Sequence, residues 1–133
     1  MINELSHQIY ANAKSKGFFE EEKNTGEMLC LIHSEISEAL NADNENKYCD
    51  LAGFFERLNQ ISFSYNDGTT KIKEEDFIIL FESRIKNTFE DEIADSLMRL
   101  MSLAAYRGIN IEQHIQLKMR YNLTRPYKHG KKY

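Results

Sequence analysis

Two stretches of the sequence, Leu29 to Leu40 and Glu92 to Leu103, repeat apolar residues at the period of an α-helix while carrying carboxylates three residues apart, Glu35 with Glu38 and Glu92 with Asp95. Residues at i and i+3 share a helical face, so each stretch presents an acidic pair to one side. Two such helices side by side make a four-carboxylate cluster. No other feature of the chain restricts its fold as much.

The placement of these carboxylates matters more than their number. At about 100° per residue, Met28, Leu29, Leu31, Ile32, Ile36, Ala39 and Leu40 cover roughly half of the first helix. Glu35 projects inside that arc, between Leu31 and Met28, and Glu38 lies at its edge, while Ser34 and Ser37 mark the polar side. On the second helix Phe89, Ile93, Leu97, Leu100 and Leu103 form the expected apolar stripe, bordered by Glu92, Asp95 and Arg99. Either stretch alone reads most simply as a helix with flanking charges, including an ordinary Asp95–Arg99 pair worth ~0.3 to 0.5 kcal/mol. Both together, with Glu35 inside a stripe, point to a metal site. Close carboxylates repel by ~4 kcal/mol per pair at an effective dielectric of about 20. Hard divalent cations that prefer oxygen, Mg²⁺ first, relieve that repulsion.

The whole chain sets the bounds within which this cluster must fit. Its 133 residues are expected to form a single domain, 1–133. A hydrophobic content of 41%, a charged content of 29% and a net charge of −4 describe a globular protein and weigh against general nucleic-acid binding. The charge is uneven: no acidic residue follows Glu112, whereas Lys118, Arg120, Arg125, Lys128, Lys131 and Lys132 all do. No basic-then-apolar leader opens the sequence, and its longest aliphatic and aromatic run, Phe77 to Phe81, is too short to cross a bilayer. A cytoplasmic protein without a membrane partner is the expectation. Cys30 and Cys49 have neither Cys-x-x-Cys nor zinc spacing and read as reduced thiols without a role.

Taken in order, Ile2, Leu5, Ile9 and Ala13 predict an amphipathic helix to about Lys16, ended by Gly17. Phe18 and Phe19, before the acidic run Glu20 to Glu22, read as aromatic anchors of a loop. Asn24 and Glu27 have capping-box spacing and open the first carboxylate helix, which should run to about Ala42. His33 on its far border reads as a surface or core histidine. Leu51, Phe54, Phe55 and Leu58 suggest one short helix, and Asp76 to Lys86 suggests another. Between them Ile61, Phe63 and Tyr65 alternate before Asn66-Asp67-Gly68, which could close a small hairpin. The aromatic residues of this middle segment read as core or subunit interface ahead of a base-stacking platform.

The second carboxylate helix should span about Phe89 to Tyr106, with Gly108 as its stop. Asn110 and Gln113 then cap a last helix with Ile111, Ile115 and Met119 on one face and Lys118 and Asn122 projecting into that arc. Pro126, the only proline, ends helical structure. The expected fold is therefore all-α, a helical bundle with paired acidic helices and a small hairpin or irregular insertion in its middle.

Glu35-x-x-Glu38 and Glu92-x-x-Asp95, followed by Lys118-x-x-Tyr121-Asn122-x-x-Arg125-Pro126-Tyr127-Lys128-His129-Gly130-Lys131, resemble the MazG-like nucleotide pyrophosphohydrolases of the all-α NTP pyrophosphatase superfamily. The resemblance covers about residues 25 to 42 and 89 to 132. It implies a helical bundle that binds Mg²⁺ through four carboxylates and cleaves a nucleoside triphosphate between its α and β phosphorus atoms. By position, Glu35, Glu38, Glu92 and Asp95 become metal ligands, Lys118 and Arg125 touch phosphates, and Asn122 orients phosphate, sugar or a bound water. A homodimer, or a pair of dimers, is also implied. Two departures stand out: Ser34 occupies a position where some members carry a further Glu, and the stretch between Glu38 and Glu92 is longer than usual in the family.

The chemistry is reasonable independently of the likeness. A polyanionic triphosphate reaches a carboxylate cluster only through bridging cations, Mg²⁺ or in its place Mn²⁺, which also polarise the phosphate and acidify a water. Lys118, Arg125 and Lys128 can neutralise the departing pyrophosphate. Glu38, if less engaged by metal, is the residue expected to take the water's proton. Two other function classes compete: a non-catalytic helical interaction module with an acidic face and a basic tail, and a nucleic-acid binder using Arg120 to Lys132 as a polybasic arm. A buried Glu35 favours the enzyme, and the acidic body counts against the nucleic-acid binder.

Overall fold

Side-chain caps set where several helices of this chain begin. Asn24 accepts a hydrogen bond from the Glu27 N–H at 3.2 Å, Asp50 from the Gly53 N–H at 3.0 Å and Asn110 from the Gln113 N–H at 3.1 Å. Each cap satisfies a donor that the first helical turn leaves open, a contribution of about 1 kcal/mol. At Gly53 the cap comes so close that a Cβ would meet Asp50 Oδ2 at 2.2 Å, which explains a glycine inside a first turn. Gly17 and Gly108 hold φ of 86° and 65°, left-handed values that end their helices at little steric cost.

The computed structural model of the chain describes residues 1–64, 68 and 70–132. Among them lie six α-helices: α1 (Ile2–Ser15), α2 (Thr25–Asn44), α3 (Leu51–Ile61), α4 (Glu74–Arg84), α5 (Phe89–Tyr106) and α6 (Ile111–Leu123). The fold is all-α, as the periodicity predicts. Two-residue strands, β1 (Phe63–Ser64) and β2 (Thr70–Lys71), pair antiparallel with Phe63 opposite Lys71. They supply the expected small hairpin; Asn66 and Asp67 of its predicted turn lie outside the described residues. No described helix is long and apolar enough to cross a membrane.

The chain divides into two compact units, Met1–Leu29 with Leu97–Tyr133, and Cys30–Ser96. In the first, α1 and α6 are clasped by reciprocal bonds: the Asn3 N–H donates to Glu112 Oε2 at 3.2 Å and the Glu112 N–H to Asn3 Oδ1 at 3.1 Å. The N-terminal ammonium adds a third contact at 3.1 Å, and with the Asn3 N–H it holds the Glu112 carboxyl below its ordinary range. Phe19 packs with Tyr10 and Tyr106 at centroid distances of 4.8 and 5.1 Å, so it anchors its loop as the sequence suggests. Phe18 does not; it is 60% exposed.

In the second unit α3 and α4 form a helical hairpin around buried Phe54 and Leu80. Rings at Phe55, Phe54, Phe77 and Phe81 follow one another at centroid spacings of 5.5, 6.4 and 6.0 Å. Aromatic pairs at such distances contribute ~0.5 to 1.5 kcal/mol beyond burial. This row carries the aromatic face of α4 to the carboxylate helices.

Candidate metal centre

The buried row of α2 is Ile32, Glu35, Ala39 and Ala42, a narrow i, i+3, i+7 stripe centred on the acidic side chain. The wider arc read from the sequence is therefore only partly used. Leu31, Ile36 and Leu40 are 49%, 49% and 59% exposed.

On α5 the outcome is a correction. Of the expected stripe, Leu103 is buried at 9% and Phe89 is half-buried, but Ile93, Leu97 and Leu100 are 40%, 52% and 44% exposed, while the polar flank, Thr88, Glu92 and Ser96, is buried. The row facing Glu35 of α2 is thus the polar one, and Ile93, Leu97 and Leu100, about 100° round the helix, stay exposed in a single chain. Ser96 tolerates burial because its hydroxyl donates to the Glu92 carbonyl oxygen at 3.0 Å.

The start of α5 is fixed from several directions. The Asn87 N–H, at a left-handed φ of 62°, donates to Asp91 Oδ2 at 2.9 Å. The Phe89 N–H donates to the Lys47 carbonyl and the Cys49 N–H to Glu90 Oε2, both at 2.8 Å. Glu90, Asp91 and Glu92 in the first turn also lie at the positive end of the helix dipole. Glu92 is therefore presented by a well-determined helix end.

Glu35, Glu92 and Asp95 each bring one carboxylate oxygen within 4.8 Å of the other two. Glu35 is 8% and Glu92 6% exposed, whereas Asp95 is exposed to solvent. Burial pushes the Glu92 carboxyl up, and the charges of Glu38, Asp91, Asp95 and Glu35 push it further in the same direction. Glu38 stands outside the three-oxygen set, at the wall of a cavity of about 360 Å³ that Glu92 and Asp95 also line. The opposite wall is Phe77, Ile78 and Phe81 of α4, with Lys86, Asn87 and Asp91 at its margin.

The donor set suits a hard divalent cation. Ligands 2.0 to 2.1 Å from Mg²⁺ stand about 2.9 Å apart when adjacent and about 4.2 Å when opposite. The three oxygens, within 4.8 Å of one another, are of the kind and spacing that such a cation takes. Glu35, Glu92 and Asp95 would hold such an ion, leaving Glu38 beside it.

The basic residues belong to the other unit. Tyr121 organises them: Lys118 Nζ lies 5.2 Å and Arg125 Cζ 5.9 Å from its ring centroid. Arg125 also donates to the His129 carbonyl at 3.2 Å. Asn122 Oδ1 is buried and has no hydrogen-bond partner among the described residues. Lys128, expected to reach phosphate, sits at φ 52° in the turn Tyr127–Gly130 with its ammonium 5.9 Å from the Tyr127 ring centroid. His33 is exposed, and Cys30 and Cys49 are free thiols.

Sequence reasoning gave no site role to Asp91, Asn87, Phe77 or Phe81. The i, i+4 spacing of the two phenylalanines was the available signal for the cavity wall. Tyr121 likewise signals its role by lying three residues after Lys118 and four before Arg125. Compared with protein-family models, curated proteins and solved structures, the chain matches none.

Proposed function

We propose that this chain is a Mg²⁺-dependent nucleoside triphosphate pyrophosphohydrolase, similar to the MazG-like enzymes of the all-α NTP pyrophosphatase superfamily. It converts a ribo- or deoxyribonucleoside triphosphate and water to the monophosphate and pyrophosphate, as in the removal of noncanonical nucleotides. The observation that carries this reading is the meeting of Glu35, Glu92 and Asp95 within 4.8 Å, two of them buried, with Glu35 at a position of α2 where the apolar period would otherwise place an aliphatic side chain.

A divalent cation at these carboxylates, Mg²⁺ or Mn²⁺, supplies charge neutralisation for the triphosphate and lowers the pKa of water. Glu35, Glu92 and Asp95 would hold the cation. Glu38, lining the same cavity without belonging to the three-oxygen set, accepts the proton of the attacking water. The new bond forms from water oxygen to the α-phosphorus, and the bond to the β-phosphate oxygen breaks. By the resemblance, Lys118, Arg125 and Lys128 would offset the charge that appears on pyrophosphate, and Asn122 would supply a hydrogen bond to phosphate or sugar.

The exposed rows Leu31, Ile36 and Leu40 on α2 and Ile93, Leu97 and Leu100 on α5 support a homodimer or a pair of dimers. Covering each such side chain is worth up to ~1.5 to 3 kcal/mol. Location in the cytoplasm, without membrane or nucleic acid as partner, accords with this substrate class. The same exposed rows are what a non-catalytic interaction module would display, and that second reading predicts no metal-dependent turnover.

The deciding experiment is pyrophosphate release from a panel of ribo- and deoxyribonucleoside triphosphates with and without Mg²⁺. Monophosphate and pyrophosphate should appear in equal amounts and stop on chelation. Release of inorganic phosphate in place of pyrophosphate, or no turnover with either metal, would overturn the assignment.

A further inference from the structure

The cavity beside the carboxylates has two chemically different walls. One is acidic, with Glu38, Glu92 and Asp95; the other is the face of α4 bearing Phe77, Ile78 and Phe81, with Glu82 beside them paired to Lys86 at 3.7 Å. Its volume of about 360 Å³ lies within the range of small-molecule sites, which join a mainly apolar lining to a few placed polar groups. The acidic wall is more than a solvated patch. Glu92 is 6% exposed, lines the cavity, and its side chain makes no hydrogen bond or ion pair with any described residue. Its oxygens are not among the fully enclosed unpartnered atoms, so they open to the cavity, where a ligand that brings positive charge would meet them.

The aromatic wall is accessible as well. Phe77 is 37% exposed while still packing edge-on against Phe54 at 6.4 Å, and Ile78 is 45% exposed. The rings of Phe77 and Phe81 are neighbours on this face, 6.0 Å apart and tilted by 35°. At the margin Asn87 spends its backbone N–H on Asp91, and its amide side chain, a donor and an acceptor together, engages no described residue. The left-handed backbone that brings Asn87 to this margin is one that Asn tolerates better than most residues. A ligand suited to such a cavity carries polyanion-bound metal at one end and a flat, edge-polar ring at the other.

We infer that the α3–α4 hairpin is the base-selecting element of the enzyme: Phe77 and Phe81 stack on the nucleobase of the triphosphate, and the Asn87 amide reads one of its edges. This rests on the pyrophosphohydrolase reading and assigns to α4 and Asn87 a task that the aromatic content of α4 alone leaves open. Stacking tolerates any base, so discrimination falls to Asn87, and loss of stacking acts on substrate affinity.

The chain has no tryptophan, so the Phe81→Trp protein carries a single tryptophan, excited apart from its tyrosines, at the proposed stacking face. Its emission is titrated in Mg²⁺ with α,β-methylene nucleoside triphosphates of each base and, as the ring-free probe, with inorganic tripolyphosphate. The methylene nucleotides should quench it in a base-dependent order, and tripolyphosphate should not. In parallel, Phe77→Leu, which keeps bulk behind the ring face, should raise KM for the preferred nucleotide about 5- to 100-fold with little change in kcat. Asn87→Gly, which accepts the left-handed backbone, should flatten the ranking of bases. Both variants should retain the melting shift that Mg²⁺ gives the parent protein.

Equal quenching by tripolyphosphate, or an unchanged KM and base ranking in both variants of an active enzyme, overturns the assignment of α4 and leaves the hydrolase intact. Quenching by nucleotides in a protein that hydrolyses none of them keeps the pocket and removes the hydrolase. No quenching and no hydrolysis removes both.

Discussion

Glu35 of α2 and Glu92 of α5 face each other with carboxylate oxygens no more than 4.8 Å apart, at 8% and 6% exposure. Two acids so placed are expensive unless something answers their charge. For Glu92 the cost is visible, since burial and the charges of Glu38, Asp91, Asp95 and Glu35 all disfavour its ionised form.

This fixes the sign of a pH dependence. A carboxyl raised in the folded state binds its proton more tightly there than in the unfolded chain. Its favourable contribution is therefore full below the ordinary carboxylate pKa and is lost as pH rises through the folded value. In EDTA the melting temperature should fall across that interval and then level off. Glu92→Gln should remove the fall and melt higher at neutral pH than the parent. Parallel pH profiles for parent and variant would show that Glu92 is not the group responsible.

Mg²⁺ should reverse the penalty by binding only the native state. At about 100 times its dissociation constant one ion adds ~2.7 kcal/mol, or roughly 8 °C of melting temperature for a chain of this size. Potassium chloride at matched ionic strength should do much less, because screening acts weakly on buried groups. Glu92→Gln should shrink the Mg²⁺ shift while raising the metal-free baseline. Melting curves indifferent to millimolar Mg²⁺ and Mn²⁺ would end the three-carboxylate centre.

The helices were legible because their signals are local. Asn24 and Asn110 cap where their spacing to Glu27 and Gln113 predicts, and α5 has its expected bounds. Glu35 inside the α2 arc was legible for the same reason: a charge at an apolar phase of the helix is visible in one dimension. The face of α5 was not. Hydrophobicity alone turns Ile93 and Leu97 inward, yet the chain buries Thr88, Glu92 and Ser96. The choice between those rows depends on what covers the other one, and a single sequence does not state whether another copy does. The cavity was hidden for a related reason, since Phe77 and Glu92 belong to separate helices and nothing in their spacing declares that they meet.

The geometry separates two acids that the sequence treats alike. Asp95 belongs to the three-oxygen set and Glu38 does not, though both line the cavity. Asp95→Asn and Glu38→Gln should each cut turnover by at least ~100-fold, with far-ultraviolet circular dichroism unchanged. Asp95→Asn should also lose most of the Mg²⁺ melting shift, whereas Glu38→Gln should keep it. Equal loss of the shift in both would make Glu38 a ligand and not the proton acceptor.

Lys118→Ala should act on phosphate and leave the metal alone. Removing one charge-assisted contact costs ~1 to 3 kcal/mol, which would appear in kcat/KM. The Mg²⁺ shift should not move. Because Tyr121 lies within 5.2 Å of Lys118 Nζ and 5.9 Å of Arg125 Cζ, Tyr121→Leu should weaken substrate use as well, through loss of their alignment. A parental kcat/KM in Lys118→Ala would return this lysine to the role of a solvated side chain.

The exposed rows of α2 and α5 make a prediction of their own. In a monomer Leu40, 59% exposed, and Leu97, 52% exposed, touch little, and exchanging either for Glu should change stability by less than ~0.5 kcal/mol. In a homodimer that covers these rows, the same exchange places a charge against apolar surface and should cost several times more. Sedimentation of the parent protein should therefore give at least twice the chain mass of 15.6 kDa, with a melting temperature that rises with concentration. Leu40→Glu and Leu97→Glu should sediment as smaller species, keep their helical circular dichroism, and melt at a temperature independent of concentration. A parent protein that sediments as a monomer at micromolar and at millimolar concentration would leave both rows as plain surface.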